Sequence, residues 1–244
     1  MKKIHLIMQG KGGVGKTLVS SVLTQFHIAQ DLKVLTIDTD PVNKSFSRFR
    51  KFNVFSLPLM ENSEIRKDHF DIMIGKILDS DVEHIIIDNG ASSFVPLNKY
   101  ILDTDCLSLF QESDCEVYLH TVIVGGQGMD DSFLGLRGLL ENYMNQAVKP
   151  RLAVWLNPFF GKIENEGKTF KEFQLYETHR DNINYIIEMP DLDRQLFGTL
   201  IENMLKSGQT FDEAYEDSSL LIPQKHRIKI TKQRFFEAIQ TAGF

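Results

Sequence analysis

The chain carries two cysteines, Cys106 and Cys115, and one tryptophan among its 244 residues. Thiols this few and this far apart exclude a disulfide framework and a paired CxxC metal site, and they suit a reducing compartment. The cytoplasm is the expected location. No stretch approaches the ~20 apolar residues needed to cross a bilayer. The opening MKKIHLIMQGKGG meets its glycines too soon to be a secretory signal and reads as a buried strand. Basic charge is also short: 27 Lys and Arg against 33 Asp and Glu leave a net charge of -6. Contact with nucleic acid or anionic lipid would therefore need a local patch. The seven histidines are scattered without metal-ligand spacing. The hydrophobic share of 42% and charged share of 25% exclude disorder, and at this length one α/β domain over residues 1–244 is expected.

Short β-rich runs alternate with helical patterns. The runs are Ile4 to Met8, Val34 to Ile37, His84 to Ile87, Val117 to Val124, Leu152 to Leu156 and Ile183 to Ile187. Several are apolar throughout, so they predict a mostly parallel sheet covered by helices on both faces. Helical spacing starts after the glycines with Val19, Val22, Leu23 and Phe26, and returns at Phe70 to Leu78, Phe133 to Tyr143, Leu192 to Leu205 and Ile228 to Ile239. Thr39 to Ser63 and Asn157 to Glu166 read as loops.

Gly10-Lys-Gly-Gly-Val-Gly-Lys-Thr17 satisfies GxxxxGK[ST] between a strand and an amphipathic helix. Gly10, Gly12, Gly13, Val14 and Gly15 would turn backbone N–H groups onto phosphate oxygens, and the helix N-terminus adds free donors. Lys16 would meet the β and γ phosphates, and the Thr17 hydroxyl would bind Mg²⁺. The same loop fits GxGxxG, with Asp38 near the place of a ribose-binding acid. A dinucleotide site does not call for a lysine and a hydroxyl after the third glycine, whereas a triphosphate with Mg²⁺ does. A plain glycine turn is a poor explanation, because four glycines cost chain entropy without return. Two acidic positions complete the pattern. Asp88 ends HIIID as a Walker B aspartate does, with a simple Asx turn as its bland reading. Asp38 and Asp40 bracket the end of the second strand in IDTDP, with Pro41 closing the run.

With its extra lysine, KGGVGKT followed by IDTDP resembles the deviant Walker A ATPases that include ParA, MinD and the nitrogenase iron protein, over most of the chain in order of elements. NGASSFVPL (Asn89 to Leu97), WLNPFFG (Trp155 to Gly161) and ENEGKTF (Glu164 to Phe170) are similar to the conjugal-transfer branch of that family, carried by self-transmissible plasmids. The resemblance implies a three-layer P-loop NTPase fold, ATP with Mg²⁺ as cofactors, and weak, switch-type hydrolysis. It implies an ATP-bridged homodimer in which Lys11 reaches the partner's phosphates, and a protein partner in the conjugation machinery. Asp40 matches the residue that positions the attacking water, Asp38 its neighbour near Mg²⁺, Asp88 a holder of Mg²⁺-bound water, and Asn157 a base-contacting position. From the residues alone, Lys11 reads equally as a solvated loop lysine and Asn157 as a turn starter before Pro158. One departure stands out: the glycine in Asp88-Asn-Gly-Ala comes one place earlier than the family's usual second switch. No Asn-Lys-x-Asp occurs, which favours ATP over GTP.

Five Lys or Arg between Lys225 and Arg234 raise the question of DNA or membrane contact through the last helix. The favoured reading is that Ile228, Phe235 and Ile239 close the core and leave the basic residues solvated. An iron–sulfur cluster on Cys106 and Cys115 is likewise disfavoured, since free cysteine is commonly a small buried hydrophobe. The alternatives to a conjugal-transfer switch are a dethiobiotin synthetase-like ligase and a segregation ATPase that grips nucleoid DNA.

Overall fold

The N-terminal apolar run becomes the centre of a sheet. A computed structural model describes residues 1–40, 43–61 and 64–244, so Pro41 lies outside the described residues. The strands in chain order are β1 (Lys2–Ile7), β2 (Val34–Asp38), β3 (Phe55–Ser56), β4 (Met60–Glu61), β5 (Glu64–Ile65) and β6 (His84–Asp88). They continue with β7 (Cys115–Val124), β8 (Arg151–Asn157), β9 (Glu164–Asn165), β10 (Lys168–Thr169) and β11 (Tyr185–Glu188). Seven form one sheet in the order β11-β8-β7-β1-β6-β2-β3, and each pairing in it is parallel. The pairs β4–β5 and β9–β10 are small antiparallel hairpins outside it.

Parallel strands are buried on both faces, which is why their sequences are apolar throughout rather than alternating. On one face pack α2 (Lys67–Asp79), α3 (Phe94–Asp103), α4 (Cys106–Glu112) and α5 (Met129–Tyr143), through Phe70, Met73, Leu97, Ile101, Phe110, Leu136 and Tyr143. The other face is covered by α1 (Lys16–Ile28), α7 (Thr199–Ser207), α8 (Phe211–Glu216) and α9 (Ile222–Thr241), through Val22, Phe26, Ile201, Phe211, Phe235 and Ile239. The short α6 (Gln174–His179) lies between β10 and β11 in the chain. The expected three-layer α/β fold is therefore present. Ile228, Phe235 and Ile239 of α9 are buried, as the core reading of that helix requires. No helix among the described residues is long and apolar enough to cross a membrane.

Some stretches depart from the sequence expectation. The region expected as loop from Thr39 holds 3-10 turns at Phe46–Arg48 and Arg50–Phe52 before the edge strand β3. Phe46, Phe49 and Phe52 recur at the 3-10 period and are buried, a signal that a search for 3.6-residue spacing passes over. Helices α3 and α4 were not expected; Pro96 sits in the first turn of α3, where a missing N–H costs little. The pattern at Leu192 to Leu205 resolves into a π turn, Arg194–Gly198, that leads into α7.

The sheet also gathers histidines that are far apart in sequence. Trp155 Nε1–H donates to His120 Nδ1 at 2.9 Å, His120 Nε2 lies 2.9 Å from His5 Nδ1, and His5 Nε2 lies 3.0 Å from His84 Nδ1. An indole N–H can only donate, so it fixes the direction of the whole chain. His120 then donates from Nε2 and His5 from Nε2, and each ring is neutral. His27 stacks on His84 with centroids 3.7 Å apart, and neither of its ring nitrogens finds a hydrogen-bond partner among the described residues. Ring nitrogens of His5, His27 and His84 lie within 4.8 Å of one another. The chain's direction nonetheless puts a proton on His5 Nε2, where a metal would need the lone pair.

Candidate functional site

In a parallel sheet the strands end together, so the residues after β1, β2, β6 and β8 meet along one edge. The loop between β1 and α1 holds Gly10 to Gly15. Gly13 (φ 75°) and Gly15 (φ 107°) adopt left-handed conformations that side-chain-bearing residues resist. A Cβ at Gly12 or Gly13 would meet nothing within 4 Å, so packing does not explain these glycines. They border a cavity of about 600 Å³, also lined by Lys16, Thr17, Asp40, Ser45 and Asn157. That volume lies in the range of small-molecule and cofactor sites.

Beneath the loop is a tight carboxylate cluster. Thr17 Oγ1 donates to Asp88 Oδ2 at 2.7 Å, and Ser20 Oγ, one helical turn deeper, donates to Asp88 Oδ1 at 2.8 Å. Burial pushes the Asp88 carboxyl up to about 7, against the pull of the two hydroxyls and of Lys16. Lys16 Nζ donates to the carbonyl of Lys11 at 3.0 Å, and burial lowers its pKa while Asp88 and Asp40 raise it. The ammonium and the carboxyl are thus both poorly solvated, and a phosphate-bound cation supplies what such a pair lacks.

The end of β2 presents two different carboxylates. Asp38 is fully buried and accepts from Ser47 N and Ser47 Oγ at 2.8 Å and from Asp40 N at 3.1 Å. Burial raises its pKa in spite of these bonds. Its oxygens tie down the chain that follows, whereas Asp40 lies on the cavity wall, with Asn43 donating to it from N at 3.1 Å and from Nδ2 at 3.2 Å. Gly90 accounts for its early position in the sequence: a Cβ there would come within 2.9 Å of Asp40 Cγ and 3.0 Å of its Cα. The segments after β2 and β6 therefore touch.

Asn157, at the end of β8, donates from Nδ2 to the carbonyl of Val14 at 2.9 Å and accepts from Phe159 N at 3.1 Å. It braces the glycine loop from the far side while lining the cavity. Lys11 is directed differently, its Nζ lying 2.7 Å from Asp131 Oδ2 in the first turn of α5, with both side chains about half exposed. Sequence reasoning missed Ser20, Ser45, Gln9 and Asp131. Ser20 was available, since it sits four residues after Lys16 on the same helix. Gln9 was not: its amide donates to the carbonyls of Val122 and Ser132 and accepts from Lys11 N, contacts that exist only after folding.

Comparison with known proteins agrees with this geometry. The family model of the CobQ/CobB/MinD/ParA nucleotide binding domain matches residues 5–243. A protein of Escherichia coli named TraL is 38% identical over 243 residues, covering 100% of this chain and 99% of that protein. Among solved structures, a putative plasmid partition protein of Borrelia burgdorferi B31 bound to AMPPNP aligns over 99% of both chains at 16% identity with a TM-score of 0.53. A ParA family ATPase of Chlorobium tepidum TLS aligns over 94% of this chain and 97% of its own, at 15% identity and a TM-score of 0.51. At those identities the structural likeness speaks to fold alone.

Proposed function

The chain belongs to the TraL branch of the CobQ/CobB/MinD/ParA nucleotide-binding family, and on that premise we propose that it is a MgATP-dependent switch of plasmid conjugal transfer, a weak ATPase that dimerises around nucleotide. The observation that carries the reading is the Thr17–Asp88–Ser20 cluster beneath the glycine loop, with Lys16 beside it and Asp40 on the facing wall. Loop N–H groups and Lys16 would hold the triphosphate, Thr17 would face Mg²⁺, and Asp88 and Asp38 would order the ion's water side. Mg²⁺ when bound neutralises charge on the β and γ oxygens. Asp40, on the cavity wall with Asn43 donating to it, would orient the attacking water. Asn157 would set the loop against the base side of the cavity.

At one hundred times its dissociation constant, MgATP should stabilise the fold by about 2.7 kcal/mol. For a chain of this size that is a melting shift of about 5 to 10 °C. Lys16→Ala should abolish the shift, since the phosphates lose their cation. A shift with NAD and none with millimolar MgATP would overturn the assignment.

Lys11 has to leave Asp131 before it can reach a partner's phosphates. An ion pair this exposed is worth about 0.2 to 1 kcal/mol, so it biases the lysine without locking it. Lys11→Ala should bind ATP as a monomer and form no ATP dimer, whereas Asp131→Asn, which spares the two such pairs broken per dimer, should lower the protein concentration needed for the dimer by roughly two- to thirtyfold. Light scattering at several protein concentrations separates these outcomes, and an intact ATP dimer in Lys11→Ala would remove the proposed role.

A further inference from the structure

We propose that Ser45 is a second protein ligand to the nucleotide-bound Mg²⁺, joining Thr17 from the chain that follows β2. The inference rests on the MgATP reading of the site and adds a residue to it that neither the motifs nor the resemblance assigns.

Three oxygens define the geometry. Thr17 Oγ1 lies 2.7 Å from Asp88 Oδ2 and 2.8 Å from Ser45 Oγ. Thr17 donates its one hydroxyl proton to Asp88 when that carboxyl is ionised, since a carboxylate is a stronger acceptor than a serine hydroxyl. Ser20 occupies the other carboxylate oxygen as a donor, which leaves Asp88 acting as an acceptor on both sides. Ser45 must then be the donor in its contact with Thr17. Its proton points at the Thr17 lone pair that a metal would use.

Mg²⁺ demands near-octahedral oxygens at 2.0–2.1 Å, so two adjacent ligands stand about 2.9 Å apart. The 2.8 Å between Thr17 Oγ1 and Ser45 Oγ matches that spacing. Rotation of one hydroxyl proton would turn the Ser45 lone pair to the same side as that of Thr17, with no movement of the backbone. The backbone is held in place: Phe46 is fully buried, and Ser47 donates twice to Asp38. Ser45 also lines the same cavity as Gly12, Lys16, Thr17 and Asp40. A pair of hydroxyls suits Mg²⁺, a hard cation that takes oxygen ligands and keeps several waters. The consequence is a direct tie between the ion and the segment that carries Asp40, so that metal loading and placement of the Asp40 carboxylate are one event.

The test is divalent-metal affinity, read independently of turnover. Free Mn²⁺ is followed by electron paramagnetic resonance with protein saturated by AMPPNP, and AMPPNP affinity is measured separately in chelator. Ser45→Ala should weaken Mn²⁺ on the order of tenfold and leave metal-free AMPPNP affinity unchanged, while Ser45→Thr keeps the wild-type value. Ser45→Cys should shift metal preference from Mg²⁺ toward thiophilic Cd²⁺. Wild-type Mn²⁺ affinity in Ser45→Ala, together with no gain for Cd²⁺ in Ser45→Cys, would overturn the proposal and leave Ser45 as a hydrogen-bond partner of Thr17 only. Failure of the wild-type AMPPNP complex to bind Mn²⁺ at all would instead bring down the MgATP reading, and this inference with it.

Discussion

Lowering the pH from 6.5 toward 4 is expected to unfold the nucleotide-free protein in a steep transition, driven by histidines that have no part in the nucleotide site. Burial holds His27 and His120 down to about 3 and His84 to about 4, and it takes His5 well below the ordinary 6.5. The folded values lie below the unfolded one, so the unfolded chain takes up protons that the native state refuses. The stability involved is complete above pH 6.5 and is lost as the pH falls toward 4. Asp88 works in the opposite direction, because its folded value of about 7 keeps a proton on the native state through this window; the raised Asp38 adds to that opposition. Four histidines against one to two carboxyls leave an excess of about two to three protons on the unfolded chain. The slope is then about 3 to 4 kcal/mol per pH unit.

Two pH units then remove about 5 to 8 kcal/mol, which unfolds a domain whose stability lies in the lower half of the usual range of about 5 to 15 kcal/mol. His27→Phe gives the sharpest check. The ring already stacks on His84 and makes no hydrogen bond among the described residues, so an apolar ring keeps the packing and removes one titrating group. Its acid transition, followed by circular dichroism, should be shallower by about one proton, or about 1.4 kcal/mol per pH unit, and centred at lower pH. An unchanged transition would mean that His27 is not protonated on unfolding. Trp155→Phe should act the other way: with the donor gone, His120 Nδ1 is left buried and unpaired, at a cost of about 1 to 3 kcal/mol.

Asp40→Ala is expected to abolish most ATP turnover while keeping, or slightly tightening, ATP binding. The carboxylate lies on the cavity wall and is held by Asn43, and Gly90 lets the end of β6 approach it. A group so placed can orient a water for in-line attack, worth about 10² to 10⁴ in rate, and is not needed to hold a triphosphate met by loop N–H groups, Lys16 and metal. Removing one negative charge near the γ-phosphate leaves the ATP dimer longer lived. Asp38→Ala should behave differently. Asp38 is buried and anchors Ser47 and the Asp40 amide, so its loss should weaken nucleotide binding and turnover together. Single-turnover hydrolysis, ATP affinity and dimer lifetime measured on both variants decide the matter. Wild-type hydrolysis by Asp40→Ala would mean that the switch mechanism is wrongly assigned, and a ligase of the same fold would become the better reading.

The sequence by itself determined the elements whose signals are local. GKGGVGKT between an apolar run and an amphipathic helix needs its glycines for backbone angles and its lysine and threonine for charge and metal, so strand, loop and helix are all written within thirty residues. HIIID and IDTDP end apolar runs in carboxylates, and parallel strands bring such ends to one edge wherever they lie in the chain. Period and composition likewise gave the layered α/β fold. Tertiary structure decided what depends on contact between distant segments. Asp38 and Asp40 look alike in sequence, yet one is spent on Ser47 and the other faces the cavity, because only the folded loop supplies the donors. Lys11 meets Asp131, Ser45 meets Thr17, and Gly90 makes room for Asp40, each across a separation that periodicity does not encode. The histidines show the same limit. Their spacing carries no pattern, since they lie on three strands and a helix, and the order of strands in the sheet sets His84, His5 and His120 in line with Trp155, which fixes the direction of the protons between them.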